Sequence, residues 1–130
     1  MPADFLPKGR TPTTRLLAMP RDTNAAGDIF GGWLMAQVDM AGAICAHERA
    51  RGRVVTVAVN SFHFRAPVFV GDIVSCYASV THVGNTSLTV EVEVYAERER
   101  DPLQVVKVTE AVLSYVAVDE SRNKRSVPAE

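Results

Sequence analysis

Hydrophobic and polar positions alternate through most of the chain, and one stretch departs from that rhythm. Residues 29–46 read IFGGWLMAQVDMAGAICA, with one ionisable side chain, Asp39, and one other strongly polar one, Gln37. Eighteen residues is at the edge of a membrane span. Glycines at 31, 32 and 42 interrupt the run, and a carboxylate at the centre of a bilayer costs about 2.5–3.5 kcal/mol on insertion scales. The stretch therefore reads as a helix buried on nearly every side within a globular protein. Its approach, with Asp22, Thr23, Asn24, Gly27 and Asp28, offers caps and negative charge at the helix start. Ala, Leu, Met and Gln carry it to about Arg49. His47, Arg49 and Arg51 suit the C-terminal end, and Gly52 supplies the stop. Twenty residues at 1.5 Å each make a helix of roughly 30 Å.

Beyond Gly52 the period changes to two. Residues 53–59 and 61–68 are rich in Val and Phe, and Asn60-Ser61 marks a bulge. Pro67 and the turn Val70-Gly71-Asp72 end that segment. Residues 73–83 form the next strand, closed by Gly84-Asn85. In residues 86–97, Leu88, Val90, Val92, Val94 and Ala96 point one way, and Thr89, Glu91, Glu93 and Glu97 the other. A charged loop over 97–102 leads to a last strand over 103–118, and residues 14–19 predict a first short one. Strands joined by short turns make an antiparallel sheet with one face to cover, and the helix is the element available to cover it. The expected fold is α+β, an antiparallel sheet wrapped around one long central helix. A sheet covers one side of a helix that is apolar all round, so the leftover surface implies a second subunit.

Composition narrows the function classes. The chain has 130 residues, 47% of them hydrophobic, and a net charge of −1. That is one globular domain over 1–130, with a polar tail over 119–130 whose basic residues (Arg122, Lys124, Arg125) read as solvated and whose end reads as mobile. A near-zero charge argues against nucleic acid as partner. Cys45 and Cys76 give neither a disulfide framework nor a CxxC. No apolar leader is visible, so the cytoplasm is the expected compartment and no membrane partner is expected.

GxSxG, HExxH, GxxxxGK[ST] and GxGxxG patterns are missing. His47, His63 and His82 lie on different elements without ligand spacing, so no metal and no cofactor are expected. Cys45 reads as a small buried hydrophobe. Asp39 is different, because its helical neighbours Met35, Ala36, Gly42 and Ala43 offer it no partner. Either another element or subunit pairs with it, or it faces a cleft as a general base or nucleophile. Around the helix start, Asn24, Gly27, Gly31 and Gly32 also have two readings. They permit close packing and cap a turn, or they leave backbone N–H groups free for an oxyanion.

The run DTNAAGDIFGGWLMAQVDMAGAICAHERARGRVVTVAVNSFHFRAPVFVGDIV resembles the core of the YciA-type acyl-CoA thioesterases of the hotdog superfamily. The likeness extends to the final strand, TEAVLSYVAVD. It implies hydrolysis of acyl-CoA to a free acid and coenzyme A, by a double-hotdog dimer, three of which form a hexamer. It implies that Asp39 is the catalytic carboxylate, as base or nucleophile, and that Asn24 orients water or thioester from the opposite subunit. It implies that the N–H at Gly32, or at Gly31, polarises the carbonyl. The likeness further implies that the acyl chain passes Met35 and Phe64 and that coenzyme A lies near the turn Gly84-Asn85-Thr86-Ser87. Relatives often carry a basic or small residue at Asn85 and an acid at Asn60, which bears on coenzyme A affinity and substrate range. Two other readings of the same fold are a non-catalytic acyl-CoA sensor and an enoyl-CoA hydratase or dehydratase. The latter chemistry commonly pairs Asp with His, and no His lies between Asn24 and Ala46.

Overall fold

A computed structural model describes residues 4–130. Five strands, β1 (Thr14–Leu17), β2 (Val54–Phe64), β3 (Ile73–Val83), β4 (Ser87–Glu97) and β5 (Val105–Ala117), make one antiparallel sheet in the order β1-β3-β4-β5-β2. One helix, α1 (Gly31–Ala50), packs against β2, β3, β4 and β5. The inward positions follow the alternation. Leu88, Val90, Val92 and Val94 of β4 and Leu113, Tyr115 and Ala117 of β5 are sealed beneath the helix with Val38, Ala41 and Ala46. Helical period on one element and period two on the others thus meet in a single core.

The helix is less enclosed than its composition suggests. Gly31, Gly32, Met35, Ala36, Met40 and Ile44 are exposed along one side. Met35, Met40 and Ile44 keep 42–48% of their surface open. A sheet reaches only one side of a cylinder, so in a single chain the other side stays bare. No helix among the described residues is long and apolar enough to cross a membrane.

The helix ends also differ from expectation. Neither the Asp22–Asp28 approach nor any acidic side chain caps its start: the N-cap is Phe30, without a side-chain cap, and the first turn holds no acid. Those polar groups are engaged elsewhere. Asp22 accepts from the Met19 N–H at 3.1 Å, and Asn24 Oδ1 accepts from the N–H groups of Ala26 and Asp28 at 2.9 and 3.2 Å. At the other end Arg51, not Gly52, takes the left-handed conformation. Gly52 serves another purpose: a Cβ there would lie 2.7 Å from Arg125 Nη2. Arg125 donates to the carbonyls of Ala50 and Val118 at 3.0 Å each, so it closes the helix C-terminus from the tail.

The tail is accordingly docked rather than loose. The Arg125 N–H donates to Ala117 O at 3.0 Å, the Val127 N–H to Asn85 O at 2.8 Å, and Arg49 to Pro128 O at 2.7 Å. Arg122 and Lys124 stay exposed, as read from the sequence, and Arg125 does not.

Strand β2 is an edge. It pairs with β5 on one side and carries exposed Val57 and Val59. Its register slips twice, skipping Val57 and Asn60. The second slip is the bulge expected at Asn60-Ser61. Each slip adds one residue and reverses the facing of all that follow. Thr56, Val59 and Phe62 therefore share one face at a spacing of three.

Candidate active site

Asp39 sits midway along α1, in the third turn. Thr56 of β2 donates its hydroxyl to Asp39 Oδ1 at 2.7 Å. Tyr115 of β5 lies 3.0 Å from the same oxygen and 3.0 Å from the Asp39 carbonyl, sharing its single proton between them. Thr56 and Tyr115 are direct cross-strand partners, so two adjacent strands approach one carboxylate together. Both belong to elements other than the helix, which answers the question of what pairs with Asp39. Among the described residues Asp39 Oδ2 has no donor.

Two features make this possible. Tyr115 is fully buried. Burial first, and then the charge and hydrogen bond of Asp39, push its hydroxyl well above the ordinary phenol range, so it remains a donor. Gly42, three residues along the helix from Asp39, leaves the necessary gap. A Cβ there would fall 2.2 Å from the Tyr115 hydroxyl oxygen and 3.0 Å from the ring carbon bearing it.

Beside Asp39 opens a cavity of about 270 Å³, lined by Met35, Ala36, Asp39, Thr56, Val59, Phe62 and Leu113. Apart from Asp39 and Thr56 its walls are apolar, which suits a hydrocarbon chain. Of the expected acyl-chain residues, Met35 lies here and Phe64 does not. The Phe64 ring lies over Gly31, 3.3 Å from where a Cβ would stand, and lines a smaller cleft with Ile29, Phe30, Leu34 and Ala66. Phe62, 4.8 Å from Phe64 between ring centroids, is the aromatic of the Asp39 cavity.

At the helix start, the Trp33 and Leu34 N–H groups reach back to Phe30 O. The Gly31 and Gly32 N–H groups have no acceptor among the described residues. Nothing lies within 4 Å of a Cβ built on Gly32, so its surroundings are open. Asn24 is held by its own loop through Oδ1, while its Nδ2 has no acceptor among the described residues. Asn24 is not among the residues lining the Asp39 cavity.

The turn at 84–87 is tied to the tail. Gly84 N–H donates to Ser87 O at 2.8 Å, Thr86 O accepts from Ala117 N–H at 2.8 Å, and Asn85 Oδ1 accepts from the Ser126 hydroxyl at 3.2 Å. Cys45 is half-buried, and burial followed by the charge of Glu48 pushes its thiol up, away from thiolate.

The sequence reading missed Thr56, Tyr115, Val59, Phe62 and Leu113. One signal for Tyr115 was present. It occupies an inward position of β5, where a phenol needs a partner, and Gly42 stands one turn from the only acid in the helical run.

Comparison with known proteins agrees with this fold. Residues 26–103 match the family described as the thioesterase superfamily. The acyl-CoA thioester hydrolase YciA of Escherichia coli is 52% identical over 118 residues, 89% of this chain and 89% of that protein. Among solved structures, the hexameric thioesterase of Yersinia pestis superposes with a TM-score of 0.89 at 50% identity, covering 96% of this chain and all of that one. The hexameric hotdog-fold thioesterase of Campylobacter jejuni gives 0.85 at 47% identity, with 90% of each chain covered. A sheet wrapped on one helix is thus the architecture of a known kind of protein, and the chain belongs to the YciA-type acyl-CoA thioesterases of the hotdog-fold thioesterase superfamily.

Proposed function

We propose that this protein hydrolyses the thioester of acyl-CoA, giving a free carboxylic acid and coenzyme A. The observation that carries the reading is a helical carboxylate, half-held by two hydroxyls, at the mouth of an apolar cavity. A water positioned by Asp39 attacks the thioester carbonyl and gives its proton to the carboxylate. The carbonyl oxygen gains negative charge, and a backbone N–H at Gly32 or Gly31 receives it. The tetrahedral intermediate collapses, the C–S bond breaks and the thiolate leaves, taking the proton. In the alternative route the carboxylate attacks first and water cleaves the resulting mixed anhydride. After a single turnover in ¹⁸O-water, label in Asp39 identifies the second route with water attacking the anhydride at the Asp39 carbonyl.

The spacing within one chain supports a site built from two. Gly32 and Asp39 lie on one helix face, seven residues and about 10 Å apart along the axis. A carbonyl under attack needs its reacting partners within about 3–3.5 Å. A carbonyl attacked directly by Asp39 does not meet both ends of that separation, which for that route favours an amide from a second copy. In this reading the amide opposite Asp39, and with it Asn24 and its free Nδ2, comes from a second copy. The exposed helix side and the open β2 edge are the apolar surfaces on which that copy packs. Three such dimers form a hexamer in this reading, and the Yersinia and Campylobacter proteins are described as hexameric. Coenzyme A lies beside the turn at Gly84, Asn85, Thr86 and Ser87, with no separate cofactor or metal. Cytoplasmic residence belongs to the same proposal.

Thiol release from short, medium and long acyl-CoA tests the reading. The wild-type protein turns over, and Asp39→Asn falls at least about a hundredfold, since loss of a general base costs 10²–10⁴. Undiminished turnover in a folded Asp39→Asn protein overturns the assignment of that residue. Hydration of enoyl-CoA, or tight acyl-CoA binding without turnover, would favour the hydratase or the sensor.

A further inference from the structure

We infer that Tyr115 is a positioning residue for the thioesterase reaction: with Thr56 it fixes Asp39 through Oδ1 and leaves Oδ2 as the reacting oxygen. This rests on the reading of Asp39 as the catalytic carboxylate and adds to it which oxygen acts and what aims it.

The geometry carries the assignment. A carboxylate on a helix rotates about two side-chain bonds, and its two oxygens are chemically equivalent until something tells them apart. Here both donors go to one oxygen, Thr56 at 2.7 Å and Tyr115 at 3.0 Å. The second bond of Tyr115, to the Asp39 carbonyl at 3.0 Å, ties the same hydroxyl to the helix backbone. The carboxylate is thereby referenced to the main chain that bears it as well as to the sheet. Thr56 lies at the exposed end of this arrangement and Tyr115 at the sealed end. Water can therefore replace a lost threonine hydroxyl but has no way to replace the phenol.

The molecule also makes room for the contact. Gly42 is buried at a helical position where Ala would be favoured by roughly 1 kcal/mol on intrinsic propensity. A Cβ at that position would fall 2.2 Å from the Tyr115 hydroxyl, inside any contact distance. The hydroxyl and the missing methyl are two halves of one arrangement. Tyr115 is not among the residues lining the cavity beside Asp39, so it acts through the carboxylate.

The test compares Asp39→Asn, Tyr115→Phe, Gly42→Ala and the Tyr115→Phe/Gly42→Ala pair as assembled proteins of matched oligomeric state. Tyr115→Phe keeps the ring and removes only the hydroxyl. Its kcat is expected to fall about 10- to 100-fold with KM within about twofold, because misplacing a reacting group by an ångström costs on that order. Gly42→Ala drives the hydroxyl from its seat and reproduces that kcat. Because the single variants break the same contact, the double variant is no slower than either alone. It also melts higher than Gly42→Ala, since the closest clash is gone. Should Gly42→Ala fail to fold, Tyr115→Phe and its KM-against-kcat split decide. If Asp39→Asn is inactive while Tyr115→Phe turns over at the wild-type kcat, the inference about Tyr115 is wrong and the function stands. The same holds if kcat effects of Tyr115→Phe and Gly42→Ala multiply. If Asp39→Asn turns over normally, the reading beneath both has failed.

Discussion

Replacing Arg125 with Ala should destabilise the protein without slowing it. Arg125 closes the negative end of the helix from the tail, donating to Ala50 O and Val118 O at 3.0 Å each, with Arg53 O at 3.5 Å. Hydrogen bonds to charged groups contribute about 1.5–3 kcal/mol each when buried. Arg125 is half-buried and water can reach part of the vacated space, so the lower end applies, giving a loss of about 2–3 kcal/mol in all. For a domain of this size each kcal/mol moves Tm by roughly 4 °C, so Tm should fall by about 10 °C. The assay is thermal unfolding at fixed protein concentration, because assembly makes Tm concentration-dependent. Arg125→Lys keeps the charge without the planar fork and should recover only part of the loss. Gly52→Ala, whose Cβ would stand 2.7 Å from Nη2, should lower Tm by displacing the same guanidinium. The kcat of Arg125→Ala at 25 °C should stay within about twofold of wild type, since the residue is remote from Asp39. A Tm drop below about 2 °C would refute the capping argument, and a large loss of kcat in folded protein would refute the separation of tail from site.

Four further outcomes are expected. Gly32→Ala has open space around its Cβ and should leave Tm unchanged or slightly raised, yet cut kcat/KM at least about tenfold by crowding the amide proposed to receive the oxyanion. Val57→Asp, on the open edge of β2, should reduce the assembly seen by light scattering and reduce activity in proportion; a fully active monomer would overturn the two-copy site. Arg98→Ala leaves the buried Asp72 carboxylate with the Phe69 N–H but without its ion pair, and should cost about 3 kcal/mol in urea unfolding. Glu110, between Arg65 and Lys107, has its carboxyl pulled down to about 2 by those two hydrogen-bonding cations. A depressed native pKa means stability that is present above the unfolded value near 4.3 and lost as pH falls toward 2. The urea midpoint should therefore drop over that window more steeply in wild type than in Glu110→Gln, and parallel curves would argue against the pair.

The parts of the fold governed by local periodicity were readable from sequence. Each strand boundary follows from alternation and turn residues to within a few positions, and the helix from its charge-free run. Asp39 stood out for the same reason, as an ionisable group where none belongs. The partners of Asp39 were not readable, because Thr56 and Tyr115 lie 17 and 76 residues away and meet it only through the pairing of β2 with β5. The cavity wall was obscured by register. A simple alternation from Thr56 faces Ala58 and Asn60 inward, and the slip at Val57 carried no glycine to announce it. The caps went astray for a different reason. Acidic and amide side chains near a helix start compete for several N–H groups, and here the preceding loop captured them.

The unequal treatment of the two helix ends has an electrostatic consequence. A helix behaves as roughly half a positive charge at its beginning and half a negative one at its end. Here a guanidinium from the tail offsets the negative pole, while no acid in the first turn offsets the positive one. The field along α1 is thus rectified: one terminal is grounded and the other is left live. Electron density that accumulates on an oxygen near Gly31 and Gly32 meets a potential that no acidic side chain in that turn has cancelled. The same asymmetry makes the open end intolerant of acid, because a carboxylate placed in the first turn would improve the helix and extinguish the field.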